Sequence, residues 1–426
     1  MNRRALALLL LLSPAPLAAT GFGLFQHGGR GVAEVGAFVA RADDPSAVRT
    51  NPAGLARLDG FQFAAGLDFS APEDEFAAGG RTDSAHHIIQ FPPSLYASWK
   101  PKNLGLPLTF GLGLDSPYWT IENWDTALFP GRFDTLRQKA TFFELRPSVA
   151  WAIDGKWSLG ASLRYVRGAF ETSFSTPASL PGSGGATFTS EINNEAESTA
   201  DGVGVDVGIQ YAASGWGFGA LASSGASLDG NGDLISSPRE PIADAQAAGS
   251  FATAYPGDSV KMDFALPPSA SIGLWWGFSD AWKLEGDVVW SGWSAIDRTR
   301  IELGSGANSP LVGEPALDRQ RDWKDVVSLR LGLEWTLSPQ WTLGGGIAHE
   351  PSPVPTATIE PGFAQGDAMV VAFGASYNLP GLSFDAGYSY HTYSDRDADL
   401  AGVNSPVRGT FSSRAQVFSI SARWRR

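Results

Sequence analysis

From about residue 61 the chain repeats one pattern: an alternating segment, a very short turn, another alternating segment, then a long polar stretch. Over 143–153 the odd positions carry Phe143, Leu145, Pro147, Val149, Trp151 and Ile153, with Glu144, Arg146, Ser148 and Ala150 between them. Val203, Val205, Val207, Ile209 and Tyr211 alternate with Gly204, Asp206, Gly208 and Gln210. Trp323, Val327, Leu329, Leu331, Leu333 and Trp335 alternate with Lys324, Ser328, Arg330 and Glu334. Successive strand side chains point to opposite faces, so each segment has one apolar face and one polar or small face.

A soluble sandwich would alternate too, and the turn spacing separates the two architectures. Six connections are tight: 100–107, Asp154-Gly155-Lys156, Ala213-Ser214-Gly215, Ser279-Asp280-Ala281, Ser338-Pro339-Gln340 and Leu379-Pro380-Gly381. Four of them hand directly to a tryptophan, namely Trp157, Trp216, Trp282 and Trp341. Tryptophan favours the membrane–water interface, so four at the same end of four hairpins predict one aromatic girdle. Long polar loops fall at roughly 70–90, 120–138, 171–200, 227–262, 302–321, 350–366 and 395–409. Short turns on one side and long loops on the other are the pattern of an outer-membrane barrel. Six inner turns plus a first and a last strand, the last running from Ala415 to Trp424, give fourteen strands. An open edge in lipid would leave unpaired N–H and C=O groups, so the sheet must close. The predicted fold is therefore an all-β, 14-stranded antiparallel transmembrane barrel of a Gram-negative outer membrane.

Composition agrees. Charged residues are only 18% of the 426, below the roughly 25% of a soluble domain. Mean hydropathy is near zero, as expected when lipid meets only every second strand residue. Residues 1–19 read as a secretory signal, with Asn2-Arg3-Arg4 ahead of the apolar run Ala5 to Leu12 and small residues Ala18 and Ala19 at the cleavage site. A net charge of −13 argues against a nucleic-acid partner, which needs a basic face. The chain has no cysteine, which excludes disulfides, thiolate catalysis and Cys-type metal sites. No cofactor or metal is expected.

Residues 20–58 depart from the rhythm that occupies 59–426. They are rich in Gly and Ala, with Phe22, Phe25 and Phe38 scattered through and turn chemistry at Asp43-Asp44-Pro45-Ser46 and Asn51-Pro52-Ala53-Gly54. Either a compact plug for the barrel or a periplasmic tail would suit that composition.

The run Ala42-Asp43-Asp44-Pro45-Ser46-Ala47 leading to Asn51-Pro52-Ala53-Gly54-Leu55 resembles the N-terminal hatch of FadL-type outer-membrane transporters. Further resemblances follow in order at 111–117, Gly131-Arg132-Phe133, Leu266-Pro267-Pro268-Ser269, Asp322-Trp323-Lys324-Asp325 and 350–355, so the likeness spans the mature chain. Arg425-Arg426 after Trp424 depart from the aromatic ending such barrels present to the barrel-insertion machinery.

The resemblance implies uptake of a long-chain fatty acid or another hydrophobic small molecule by a monomer surrounded by outer-membrane lipid and lipopolysaccharide. It implies capture by the loops 171–200 and 227–262, movement of the hatch, and sideways exit through a gap at a kink in the third strand. The kink would involve Gly113, Ser116 and Pro117, since proline cannot donate to the ladder. Phe22 would be the hatch phenylalanine against the ligand, and Lys324 an inward cation for a carboxylate. A second cation is expected on the fifth strand: Tyr165-Val166-Arg167 matches the family pattern, but strict alternation from Trp157 turns Arg164 inward and Arg167 outward, unless a bulge intervenes. Both stay open. Two other classes compete. An enzyme is disfavoured because none of the five histidines lies in a catalytic motif. A general or anion-selective porin would need no hatch.

Overall fold

In the computed structural model the alternating segments become fourteen wall strands. The structure describes residues 23, 26–102, 105–124, 128–305, 316–400 and 406–426. The wall runs β1 (Phe61–Ala78), β2 (Pro93–Trp99), β3 (Leu108–Asn123), β4 (Arg137–Ala152), β5 (Trp157–Pro181), β6 (Thr187–Ala213) and β7 (Trp216–Ser223). It continues with β8 (Ser269–Ser279), β9 (Trp282–Ser291), β10 (Val326–Thr336), β11 (Trp341–Glu350), β12 (Ala368–Leu379), β13 (Leu382–Tyr393) and β14 (Val407–Arg425). Each pairs antiparallel with its neighbours, and β14 returns to β1 from Gln62↔Arg425 to Ala77↔Thr410, which closes the sheet. No helix among the described residues is long and apolar enough to cross a membrane.

The five tight connections that lie wholly among the described residues, from 154–156 to 379–381, join consecutive wall strands where the alternation ends. The parity also holds along the middle of the wall. On β4, Phe143, Leu145, Val149 and Trp151 are exposed, while Glu144, Arg146, Ser148 and Ala150 are buried. On the short-turn rim Trp157, Trp216 and Trp341 are exposed, and each stands beside a cross-strand aromatic ring; Trp282 stacks on Trp335 with centroids 5.0 Å apart and planes 3° apart. Such pairs add roughly 0.5–1.5 kcal/mol beyond their buried area.

The long loops differ from expectation. Residues 171–200 are mostly strand, because β5 and β6 continue to Pro181 and restart at Thr187. Residues 227–262 contain a strand (Ala226–Pro238), a helix (Ala245–Ala254, α3 below) and the start of another strand (Asp258–Leu266). The reason is a reversal of faces. Phe170, Phe174, Ala178 and Leu180 turn their apolar side inward, so the outward face is polar and the segment reads as loop. Phe170, Ala196, Ala200, Leu228 and Leu234 of these extensions join Phe142, Val166, Phe264, Trp293, Trp323 and Phe363 in one apolar core near the loop end of the barrel.

Residues 26–58 lie inside the ring of strands, with helices α1 (Gly28–Ala33) and α2 (Ala47–Thr50) and a 3-10 turn (Pro52–Arg57). α1 packs on β12, β13 and β14, and the 3-10 turn on β4, β5 and β6, so the segment reaches both sides of the lumen. α3 (Ala245–Ala254) sits outside against the tip of β5, its first turn capped by the Asp244 carboxylate, which accepts from the Ala247 N–H at 2.8 Å.

Candidate functional site

The seat of the lumenal segment is built from small wall residues and inward carboxylates. Asn51 is fully buried; its Nδ2 donates to the carbonyls of Val39 at 2.8 Å and Ile209 at 3.1 Å, and its Oδ1 accepts from the Ala53 N–H at 3.2 Å. Pro52 and Ala53 press on Gly160, and Gly54 on Ala42, at distances that leave no room for a Cβ. Asn51-Pro52-Ala53-Gly54 is thus a backbone anchor on β5 and β6. On the opposite side Arg41 bridges Glu34, Glu285 and Glu334, and Arg30 bridges Asp43, Asp44 and Glu334. Burial alone would raise the Asp43 carboxyl, but Arg30 holds it well below the usual carboxylate range.

The wall is interrupted at β3. Asp115 is the last β3 residue in register with β2, opposite Ser94. Between Asp115 and Tyr118 the register with β4 slips, so that Ser116 and Pro117 together face the single residue Phe143. Past this bulge no ladder joins β3 to β2 among the described residues. The edge is met instead by an isolated bridge from Gly23 to Tyr118, by Gln90 Nε2 donating to the Ile121 carbonyl, and by the His86 N–H donating to the Asn123 carbonyl. Gly113 lies just before the bulge, against Val48 of α2 and Tyr96 of β2. Ser116 is buried, and its Oγ has no hydrogen-bond partner among the described residues.

Behind the bulge is a partly open cavity of about 90 Å³ lined by Arg49, Arg146, Arg164 and Arg330, with Pro117, Tyr118 and several serines. Its guanidiniums meet carboxylates on the inward face. Arg146 bridges Asp115, Glu144 and Asp206, and Arg164 bridges Glu144 and Asp206. Arg49 pairs with Asp115 at 2.7 Å, and Arg330 with Glu350 at 3.4 Å. Tyr118 carries the cavity into the apolar core, with its ring 6.2 Å from Phe142 and 6.1 Å from Trp293. One end of the space is lined by guanidiniums paired with carboxylates and the other is greasy. That arrangement suits a long apolar molecule with an anionic head.

The expected site residues fall out as follows. Arg164 is inward and buried, in the cavity. Arg167 is a correction: β5 pairs with β6 in one unbroken register from Trp157 to Pro181, so there is no bulge, and Arg167 lies outside, 60% exposed, beside Asp201. Lys324 is a second correction. Asp322 adopts a φ of 51°, β10 starts only at Val326, and the alternation breaks before it; Trp323 turns inward and Lys324 is exposed. Phe22 lies outside the described residues. Arg146 and Arg330 follow inward parity within segments already read as alternating, so their signal was present. Arg49 has none, because only the fold carries α2 to the wall.

Metal-type ligands gather, among the described residues, at Glu171, Glu195 and Glu197, whose carboxylate oxygens lie within 4.8 Å of one another. Arg137 and Lys139 pair with this group, which marks it as an ion-pair network on β4–β6.

Comparison with known proteins places this architecture. Residues 10–425 match the model of the outer membrane protein transport protein family (OMPP1/FadL/TodX). The long-chain fatty acid transport protein of Escherichia coli is 22% identical over 91% of this chain and 90% of its own. Alkane uptake protein A of Marinobacter nauticus is 28% identical over 37% of this chain, and the match spans only 36% of that relative. The crystal structure of a Pseudomonas aeruginosa FadL homologue superposes with a TM-score of 0.81 at 20% identity, covering 95% of this chain and 99% of that one. A closed fourteen-stranded wall, matched by the family model from end to end, makes this chain a member of the OMPP1/FadL/TodX family of outer-membrane transport proteins.

Proposed function

We propose that the chain passes long-chain fatty acids, or amphiphiles with a similar anionic head, across the outer membrane as a monomer. The observation that carries the proposal is the cavity of four arginines opening onto the apolar core beside the β3 bulge. The four guanidiniums are paired with Asp115, Glu144, Asp206 and Glu350, and an anionic head is the cargo chemistry that can compete for such donors. Capture falls to the outer extensions, where Ile235 is exposed and Phe251 stacks on Tyr255, above the buried Phe174, Leu180 and Leu234; Phe188 lies at the β6 tip. Residues 26–58 serve as the hatch, with Phe22 ahead of them. The cargo leaves sideways where Ser116 and Pro117 part β3 from β2. The filled lumen weighs against an open porin.

Arg164 is the wall cation for the carboxylate in this reading. Because Glu144 and Asp206 already hold it, the cargo must share or displace them. Native mass spectrometry of detergent-purified protein tests the proposal. Co-purified fatty acid, lost in Arg164→Ala and kept in Arg167→Ala and Lys324→Ala, supports it. A protein that retains alkanes but no fatty acid, or a large steady current in a planar bilayer, overturns it.

A further inference from the structure

Arg49 stands apart from the other cations of the cavity in where it is mounted. Arg146, Arg164 and Arg330 project from wall strands, whereas Arg49 belongs to α2 of the lumenal segment. It lines two spaces at once. One is the cavity with Pro117, Tyr118 and the three wall arginines; the other lies against α1, with His27, Arg30, Asp44, Ser94 and Tyr96. Between them Arg49 Nη1 donates to Asp115 Oδ2 at 2.7 Å. Asp115 is the residue at which β3 leaves β2. The bond therefore straps the lumenal segment to the wall at the edge of its break.

We infer that Arg49 is the specificity-determining residue of this transporter: an anionic head draws its guanidinium off Asp115 and so frees the lumenal segment at the β3 bulge, which a neutral hydrocarbon cannot do. The exchange is balanced on both sides. When Arg49 leaves, Asp115 keeps the Tyr96 hydroxyl at 3.0 Å and Arg146 Nε at 3.5 Å, so its buried carboxylate is not orphaned. Arg49 in turn trades one carboxylate for another, with no change in the number of buried charges except the head that the cargo brings. Arg146 and Arg164 are poorer donors for such a trade. Withdrawing either would leave Glu144 and Asp206 to a single guanidinium. A ligand has differential affinity for the freed state only if it makes a contact there that the strapped state denies it, and the Arg49 bond is such a contact.

The inference rests on the anionic-cargo reading. The test compares oleate with hexadecane on the full-length protein in detergent, reading affinity and the hydrogen exchange of residues 45–54. Wild type should show faster exchange with oleate and none of that change with hexadecane. Arg49→Ala should weaken oleate about tenfold, the scale of one charge-assisted bond, and abolish the oleate-induced change, while hexadecane affinity stays within about twofold. Arg49→Lys should recover part of both. Asp115→Asn, which alters the other end, should raise exchange of 45–54 before any ligand is added. Oleate binding and exchange in Arg49→Ala that equal wild type would overturn the inference and leave the anionic-cargo reading standing. Wild type that binds hexadecane but not oleate would overturn both.

Discussion

Gly208 of β6 lies so close to Oδ1 of Asn51 that a methyl group in place of its α-hydrogen would overlap that oxygen. The wall and the lumenal anchor are thus matched atom to atom, and the match depends on a glycine in the middle of a strand, where it otherwise weakens the sheet. Gly208→Ala should push Asn51 off the Val39 and Ile209 carbonyls. We expect a loss of about 1–3 kcal/mol, the usual cost of overpacking. Protease cleavage within 40–58 should accelerate while the barrel itself stays folded. Unchanged cleavage would mean that the anchor tolerates displacement.

The two arginines of β5 should behave oppositely. Arg167 and Asp201 form an exposed pair, so Arg167→Ala should change stability by about 0–1 kcal/mol and leave cargo affinity alone. Arg164→Ala removes a buried partner of Glu144 and Asp206 and should cost about 3–5 kcal/mol. Urea unfolding in lipid vesicles measures both. Equal effects would contradict the inward parity of Arg164.

Acid should loosen the loop that carries Glu360. Burial would push this carboxyl up, yet Arg321 and Arg319 hold it below its ordinary value. A depressed value stabilises the folded loop above the unfolded pKa of roughly 4.3, and that stability drains as pH falls through the folded value. Hydrogen-exchange protection over 350–366, taken relative to the intrinsic rate at each pH, should stay flat from about pH 5 to 8 and fall below about pH 4. Glu360→Gln should remove the acid step; an identical step in that variant would assign it elsewhere.

The rim tryptophans should report the membrane interface. Lipids brominated near the headgroup should quench fluorescence from Trp157, Trp216 and Trp341, which are exposed at the short-turn end. Changing these three to Phe should remove much of the quenching. Changing Trp124 and Trp293, buried inside the barrel, should remove little of it. The reverse result would misplace the girdle.

The barrel was legible in the order of residues alone. Every tight turn, the strand number and the inward parity of Arg164, Arg146 and Arg330 follow from a period of two against a lipid face, because lipid forces that alternation wherever a strand crosses it. The signal stops where lipid stops. Beyond the lipid-facing stretch β5 and β6 continue with their apolar side turned inward, and Phe174 and Leu180 therefore read as loop. At β10 the strand starts only at Val326, so Lys324 lies in the irregular stretch before it, where the alternation that would have turned it inward does not hold. How residues 26–58 are held emerges from the closed fold, since Asn51 meets Ile209 and Arg49 meets Asp115 across spans of chain that no local pattern relates. Those contacts join a segment without periodicity to wall positions occupied by glycine or a carboxylate. Their partners are chosen by the closure of the barrel around them.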